Sequence, residues 1–312
     1  MALQFIFGPS GAGKSHYIYS KIIQESMEHP GRSYLVLVPE QFTMQTQKAL
    51  VEMHPRKGIM NIDVLSFERL AFRVLEEVGE TQRELLEETG KSMVLRRVAQ
   101  EKKKELKVLG SKMDKQGYVS QMKSMVSELR QYEIGSSDLE EILEDLKNRP
   151  ELYYKLKDMQ VLYQGFFEYL EGNFITQEEV LDVLGRVADK SRKLKDSVLV
   201  LDGYTGFTPI QIQLLEKLLE ISSQIYVTVT MGRGEDPYHP GSPHQLFCLS
   251  KQTVARLCKL ASEKKIHWEE QWVPEKGAPY QGRFTKNLPM DFLERNLFRY
   301  RRGTYDKKQH AV

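Results

Sequence analysis

The fold is decided by the stretch FIFGPSGAGKS at residues 5–15, where a short apolar run, a glycine-rich loop and the start of a helix follow one another. Residues 3–7 are apolar and end at a glycine, which is typical of a buried strand. In residues 16–27 the apolar side chains recur at helical spacing. The order of strand, glycine loop and helix predicts the first unit of an α/β fold.

The glycine loop, residues 8–15, fits the pattern G-x-x-x-x-G-K-[ST]. Its glycines let successive backbone N–H groups point at phosphate oxygens, and the helix that follows adds its positive end. We therefore expect the loop to bind ATP with Mg²⁺, although a turn that merely caps the helix has the same appearance. The residues that we assign to nucleotide binding are Gly8, Pro9, Ser10, Gly11, Ala12, Gly13, Lys14 and Ser15.

Two side chains of the glycine loop have specific roles in this interpretation. Lys14 is expected to reach the β- and γ-phosphates, and the Ser15 hydroxyl is expected to ligate magnesium. The run VLVL before Asp202 predicts a buried strand that ends at a carboxylate. Such an aspartate can hold magnesium through water opposite Ser15, whereas an aspartate that caps a turn is the alternative. We therefore assign Ser15 and Asp202 to the metal site.

The residue after Asp202 bears on catalysis. In helicase-type ATPases that hydrolyse ATP, a glutamate usually stands there and activates the attacking water. Here the position is Gly203, followed by Tyr204 and Thr205, none of which is a carboxylate base. The sequence therefore predicts binding without fast hydrolysis, and we assign no catalytic residue.

Four further apolar runs have strand character, at residues 34–38, 62–65, 197–201 and 225–231. Residues 80–195 are rich in Glu, Lys, Leu and Met with repeated three/four spacing, which predicts helices. A connection of ~115 residues cannot be an ordinary βα loop. We therefore predict an α/β fold of the P-loop NTPase type, whose sheet is interrupted by a large all-helical insertion.

Polar and aromatic residues follow two of the predicted strands. Gln41, Phe42 and Thr43 come just after the second strand, and Ser66 and Phe67 just after the third. The carboxyl ends of strands face the ligand crevice in open α/β sheets. These residues could therefore contact a nucleic-acid backbone and stack on a base, while turn chemistry with a core phenylalanine explains them equally well.

The composition excludes several classes of protein. A net charge of +2 over 312 residues gives no global field that marks a nucleic-acid binder. Two cysteines, Cys248 and Cys258, argue against a disulfide framework or a cysteine metal site. The sequence has neither a signal peptide nor an apolar run of the ~18–20 residues that cross a bilayer, so we expect a soluble cytoplasmic protein.

Four segments, in order, resemble the N-terminal part of AddB (also called RexB), the second subunit of a bacterial helicase–nuclease. The resemblance spans nearly the whole chain and is specific in combination, and only the first segment is diagnostic alone. The segments are FIFGPSGAGKS at 5–15, LVLVPEQFT at 35–43, NIDVLSFERLAFRVL at 61–75 and VLVLDGYTGFTPIQIQLL at 198–215.

The resemblance implies a superfamily 1 helicase-like fold. Residues 1–80 and 196–245 would form a first RecA-like domain, residues 81–195 its helical subdomain, and residues 246–312 a linker and the truncated start of a second RecA-like domain. It also implies ATP and Mg²⁺ as ligands, single-stranded DNA facing residues 39–43 and 66–67, and an AddA-type partner in a heterodimer. The implied role is the processing of DNA double-strand breaks, with recognition of the Chi sequence.

Several differences from the family limit which of its properties can be expected of this chain. Family members are several times longer and carry a nuclease with an iron–sulfur cluster on four cysteines, so we expect that cluster only outside these residues. Gly203 replaces the helicase glutamate, and no glutamine motif precedes Leu3. We therefore expect negligible ATPase activity and no strand unwinding by this chain alone.

Two other classes of protein remain open. A small-molecule P-loop kinase would need an acid that deprotonates the acceptor, and Glu40 is the only acid near the end of the second strand. A scaffold with a non-functional loop would be expected to have lost Lys14 or Ser15, and both are present.

Overall fold

The structure is a computed structural model that describes residues 2–79, 84–171, 174–275, 282–299 and 303–306. Its strands, in chain order, are β1 (Ala2–Gly8), β2 (Tyr34–Leu37), β3 (Ile62–Leu65), β4 (Glu84–Leu85), β5 (Phe174–Ile175), β6 (Val198–Leu201), β7 (Gln224–Thr230) and β8 (His267–Trp272).

The α-helices of the described residues are α1 (Lys14–Glu28), α2 (Thr43–Met53), α3 (Phe67–Val78), α4 (Glu88–Glu101), α5 (Gln116–Gln131), α6 (Ser136–Asp145), α7 (Pro150–Leu170), α8 (Gln177–Val187), α9 (Pro209–Ile221), α10 (Cys248–Glu263) and α11 (Leu288–Asn296). Two short 3₁₀ helices cover Glu40–Phe42 and Ala188–Lys190.

Six strands form one parallel sheet in the order β3-β2-β6-β7-β1-β8. The strands β1, β2, β6 and β7 are almost entirely buried, which matches their continuous apolar runs. The five strands predicted from apolar runs are confirmed to within one residue at each end. The prediction of an α/β fold with a parallel sheet is confirmed.

The chain divides into two compact units. The sheet unit comprises Met1–Leu70, Asp189–Phe207 and Leu215–Val312, and the helical unit comprises Ala71–Ala188 and Thr208–Leu214. The helical unit thus includes part of α3 from Ala71 onward, whereas the helical subdomain that the resemblance implies covers residues 81–195. A helix pattern that runs on without a break gives no sequence signal for such a boundary.

The last strand differs from the sequence analysis, which assigned residues 246–312 to a linker and the start of a second domain. The structure instead pairs β8 with β1, from Ala2 opposite His267 to Phe7 opposite Trp272. The sequence of β8, HWEEQW, is largely polar and only partly buried. It lacks the apolar run that revealed the central strands because it lies at the sheet edge, where charged side chains are common.

The core of the sheet unit forms between the sheet and the helices that follow its first two strands. Ile18 and Ile22 of α1 pack with Val36 of β2 and Val200 of β6, and all four are fully buried. This layer fixes the start of α1 relative to the carboxyl ends of the strands.

The helical unit has its own core, to which α4, α5, α6 and α7 contribute buried residues, and α8 contacts α5. Leu95, Val119, Leu162 and Phe166 are buried there. Gly165 allows α7 to approach α4, because a Cβ at this position would come within 2.6 Å of Val98. The insertion is not all helical as predicted, since β4 and β5 form a short parallel pair.

Candidate nucleotide-binding site

The glycine loop joins β1 to α1 and has a conformation that requires glycine. Gly11 has a φ of 71° and Gly13 a φ of 94°, in the left-handed region that other residues rarely adopt. Gly13 precedes the helix and provides no side-chain cap, and the first turn of α1 has no acidic residue. The first N–H groups of α1 thus lack an intrahelical partner, which is the arrangement that binds anions at helix N-termini.

Lys14, the first residue of α1, turns its ammonium toward the start of the same loop. Its Nζ donates to the carbonyl oxygens of Gly8 and Pro9, at 3.0 Å each. Burial lowers the pKa of Lys14 to about 8, against the opposing effect of the negative charges of Asp202 and Glu294. The lysine therefore titrates close to neutral pH.

Three hydroxyl groups converge on the carboxylate of Asp202, which is only 6% exposed. Oδ1 accepts from Ser15 Oγ at 3.1 Å and from Thr228 Oγ1 at 2.5 Å. Oδ2 accepts from Tyr19 OH at 2.6 Å. These bonds offset the cost of burying the charge.

The parallel register explains why these groups meet. Leu201 of β6 pairs with Val227 of β7, so Asp202 and Thr228 occupy equivalent positions one residue further along. Ser15 and Tyr19 are four residues apart on α1 and therefore lie on one face of the helix. A hydroxyl beside a carboxylate is an all-oxygen donor set that suits Mg²⁺, so these residues fit the predicted ion.

Gly203, which follows Asp202 where helicase-type ATPases usually have a glutamate, has a φ of 79°. A residue with a Cβ would be strained in this left-handed conformation. Tyr204 then turns inward and packs against Phe67 and Phe207, with ring centroids 5.4 and 5.2 Å away. Burial, with the charges of Glu68 and Glu40, raises the pKa of Tyr204 above its usual range, so this hydroxyl is not a base.

The residues assigned to DNA divide into two groups. Gln41 and Phe42 lie on the 3₁₀ helix Glu40–Phe42 and are exposed, Phe42 by 42%. An ion pair of 2.7 Å joins Glu40 to Arg69 at the start of α3, and both side chains are about half exposed. Phe42 presents an aromatic side chain to solvent next to this ion pair.

The other three residues are buried. Thr43 donates to the carbonyl oxygen of Glu40 at 2.9 Å, and Ser66 Oγ accepts from the N–H of Arg69 at 3.3 Å. Phe67 is 3% exposed, in the cluster with Tyr204 and Phe207. These contacts match the turn-and-core interpretation, because a base could stack on Phe67 only after the cluster opened.

A later segment also touches the glycine loop. The N–H of Arg283 donates to the carbonyl oxygen of Gly11 at 2.8 Å, and the ring of Phe284 lies against Gly11, where a Cβ would come within 2.8 Å of it. A cleft of about 520 Å³ adjoins Pro9. Its lining residues are Pro9, Arg233, Glu235, Gln245, Leu246, Phe247, Glu294, Arg295, Phe298 and Arg299.

Sequence reasoning missed Tyr19, Thr228 and the segment that contains Phe284. Tyr19 falls in the apolar stripe of α1, where a core tyrosine has the same pattern. Thr228 is one of two threonines inside a β-branched strand, and β-branched residues are ordinary there. The hydroxyl groups of Tyr19 and Thr228, each within an otherwise apolar stretch, were the only sequence features that could have indicated a role. Nothing in the sequence showed that either hydroxyl contacts Asp202.

No helix in the described ranges is both long and apolar enough to cross a bilayer. Over those same ranges, no group of three or more His, Cys, Asp or Glu side chains is placed to hold a metal ion. The predicted magnesium site, with one carboxylate and one hydroxyl, is of a different kind.

Comparison with known proteins gives a consistent result. A family described as "ADDB, N-terminal" matches residues 5–294. Proteins named as a subunit of an ATP-dependent helicase/deoxyribonuclease are 44% identical in Lachnoclostridium phytofermentans and 34% identical in Caldanaerobacter subterraneus subsp. tengcongensis, each over 100% of this chain. One from a Thermoanaerobacter species is 33% identical over 98%. The chain covers 27%, 26% and 26% of these three relatives.

Proposed function

Since the chain belongs to the family of AddB N-terminal regions, we propose that it is the nucleotide-binding, helicase-like part of a subunit that acts on broken DNA. In this proposal the glycine loop binds the phosphates of ATP, and Ser15 and Asp202 hold the accompanying Mg²⁺. The sheet unit corresponds to a first RecA-like domain of P-loop NTPase type, and the helical unit to its inserted subdomain.

One observation carries the nucleotide assignment. Ser15 Oγ donates to Asp202 Oδ1 at 3.1 Å, although the two residues are 187 positions apart in the chain. A serine at the start of a helix and an aspartate at the end of a strand are the two protein groups around magnesium in P-loop NTPases. The glycine loop and the strand-end aspartate were predicted independently from the sequence, and the structure places their side chains in contact. Lys14 is the residue before Ser15.

The proposed role is binding rather than rapid turnover. Gly203 occupies the place of the helicase glutamate in a backbone conformation that disfavours a side chain. Tyr204, the next residue, is packed against aromatic rings and stays protonated. A bound nucleotide would stabilise the loop and α1 by mass action without being consumed.

DNA and a protein partner enter the proposal through the relatives' names, which describe a subunit of an ATP-dependent helicase/deoxyribonuclease. We propose an AddA-type subunit as the partner in a heterodimer that takes part in recombinational repair of double-strand breaks, in the bacterial cytoplasm. Within this chain, the exposed Gln41 and Phe42 are the best-placed residues for contact with single-stranded DNA, because an exposed aromatic can stack on a base.

Nucleotide binding and hydrolysis can be tested together. Binding of a fluorescent ATP analogue is measured with Mg²⁺ for the wild type, for Lys14→Ala and for Lys21→Ala, a matched control on the same helix whose Nζ bonds Gln4 instead. We expect binding by the wild type and the control, a loss of at least tenfold for Lys14→Ala, and phosphate release close to background. Robust turnover that depends on Lys14 would contradict the proposal.

The second candidate function is a scaffold whose glycine loop does not bind nucleotide. The hydrogen bonds of Lys14 favour this candidate. The ammonium is already satisfied by the carbonyl oxygens of Gly8 and Pro9. If neither ATP nor inorganic triphosphate binds, the scaffold is correct. Transfer of phosphate to a metabolite would instead indicate the small-molecule kinase.

A further inference from the structure

The buried carboxylate of Asp202 is held on both oxygens by groups outside the glycine loop. Tyr19 donates to Oδ2 at 2.6 Å, and Thr228 donates to Oδ1 at 2.5 Å. Both residues are buried, and neither belongs to the loop motif or to the strand-end aspartate motif. Together they determine the orientation of the carboxylate plane.

Tyr19 acts as a donor at this site. Its side chain is 5% exposed, and its hydroxyl lies 2.6 Å from Asp202 Oδ2. A carboxylate oxygen accepts hydrogen bonds, so Tyr19 provides the proton of this bond. On its other side lies Thr46 Oγ1 of α2, at 3.5 Å, so Thr46 can donate to Tyr19 while Tyr19 donates onward.

We propose that Tyr19 and Thr228 are positioning residues for the magnesium ion, and that they act by holding Asp202 so that it orients the Ser15 hydroxyl. This inference rests on the proposed function. A serine hydroxyl has one proton and two lone pairs. When the proton points to Asp202 Oδ1, the lone pairs face away from the carboxylate and are free for a cation.

The chemistry of the site explains why two extra donors are needed. A carboxylate can rotate about its last bond, and Ser15 alone holds only Oδ1. A free Oδ2 would be able to turn toward the cation, and this rotation would move Oδ1 away from Ser15. Partners that fix the groups around a metal typically change its affinity by ~10–100-fold when they are removed.

The test compares nucleotide binding with and without the metal. Tyr19→Phe removes the hydroxyl and keeps the ring, and Thr228→Val is the corresponding change on β7. Tyr226→Phe is the matched control, because this buried tyrosine also donates to a carboxylate, Glu25 Oε1 at 3.1 Å, outside the metal site. Binding of a fluorescent ATP analogue by the full chain is measured in excess Mg²⁺ and in EDTA.

We expect Tyr19→Phe and Thr228→Val each to reduce the gain in affinity that Mg²⁺ provides by about tenfold or more. Binding in EDTA should stay at the wild-type value, since Lys14 and the loop amides are unchanged, and this value also reports that each variant is folded. A Mg²⁺ dependence equal to that of the wild type in both variants would overturn the inference. So would an equal loss in Tyr226→Phe, which would indicate a general structural effect.

The outcome distinguishes this inference from the proposed function. If the wild type fails to bind nucleotide in either buffer, the proposed function is wrong and the positioning role falls with it. If the wild type binds and Lys14→Ala does not, while both hydroxyl variants respond normally to Mg²⁺, nucleotide binding stands and only the positioning role is wrong.

Discussion

Lys14 is half-buried and has the positive charge that the proposed phosphate binding uses. Its ammonium bonds two carbonyl oxygens of its own loop, and burial brings its pKa down to about 8. A group with this pKa is mostly charged at neutral pH and mostly neutral two units higher. The residue that we propose as the anchor of the nucleotide is therefore also sensitive to pH near this value.

The first prediction concerns the pH dependence of binding. Because the triphosphate attracts the charged form of Lys14, affinity should fall as pH rises through about 8, by up to tenfold per unit above it. Titrations with an ATP analogue from about pH 7 to about pH 9.5 measure this dependence. Ordinary carboxyl groups stay ionised over this whole pH range, so they do not contribute to the change.

Lys14→Arg is the control for this titration, because a guanidinium stays charged over the whole range. Its affinity should be nearly independent of pH, whatever its absolute value. A wild-type profile as flat as that of Lys14→Arg would show that Lys14 does not titrate there.

The second prediction concerns Gly203. Replacing it with alanine should lower the free energy of unfolding by about 1–2 kcal/mol, because φ is 79° at this position. Gly206→Ala is the matched control, since its φ lies outside the left-handed region and a Cβ there would make an ordinary 3.7 Å contact with Thr253. The free energy of unfolding of both variants is measured by urea denaturation. Equal values for the two variants would contradict the expected strain at Gly203.

At the scale of elements, the site depends on β1, α1, β6 and β7, and α11 modifies it. The central elements were visible in the sequence because buried parallel strands are continuous apolar runs and the glycine loop has a fixed spacing. The helix α11 has no buried residue, and Glu294 on it influences Lys14. Such a surface helix carries no pattern that ties it to the loop.

The third prediction tests this influence of α11. Glu294→Gln removes a negative charge that raises the pKa of Lys14, so the midpoint of the binding-versus-pH curve should move to lower pH. Asp291→Asn, one turn earlier on the same helix, is the control, because Asp291 has no resolved effect on the pKa of Lys14 although both carboxylates have an arginine partner, Arg295 at 2.9 Å for Asp291 and Arg299 at 3.3 Å for Glu294. An unchanged midpoint in Glu294→Gln, or an equal shift in both variants, would contradict the prediction.

At the scale of the whole molecule, two units with separate cores share one chain. The site residues named above all belong to the sheet unit, whereas the helical unit has a core around Phe166 and Leu162. The sequence predicted a helical block from composition and spacing, and the compact helical unit comprises Ala71–Ala188 and Thr208–Leu214. Contacts, and not the local pattern, determine where one unit ends.

The fourth prediction follows from the separate cores. Phe166→Ala should lower the free energy of unfolding of the helical unit by about 3–5 kcal/mol, because Phe166 is fully buried there. Nucleotide binding under native conditions should persist, since the site lies in the sheet unit. Phe5→Ala, in β1 of the sheet unit, is the counterpart that should weaken binding. Loss of binding in Phe166→Ala alone would contradict the separation.

The sequence by itself determined the α/β class, the five strands with apolar runs, the glycine loop, and Lys14, Ser15 and Asp202 as candidate ligands. These signals are local: a continuous apolar run, a fixed motif spacing and a polar residue at a strand end are all readable within about twenty residues.

Only the tertiary structure decided that β8 completes the sheet, that Phe67 is buried in an aromatic cluster, and that Tyr19 and Thr228 hold Asp202. The physical reason is that these features depend on strand order and register. Both bring together residues up to about two hundred positions apart, and no local pattern encodes which distant hydroxyl will meet which carboxylate.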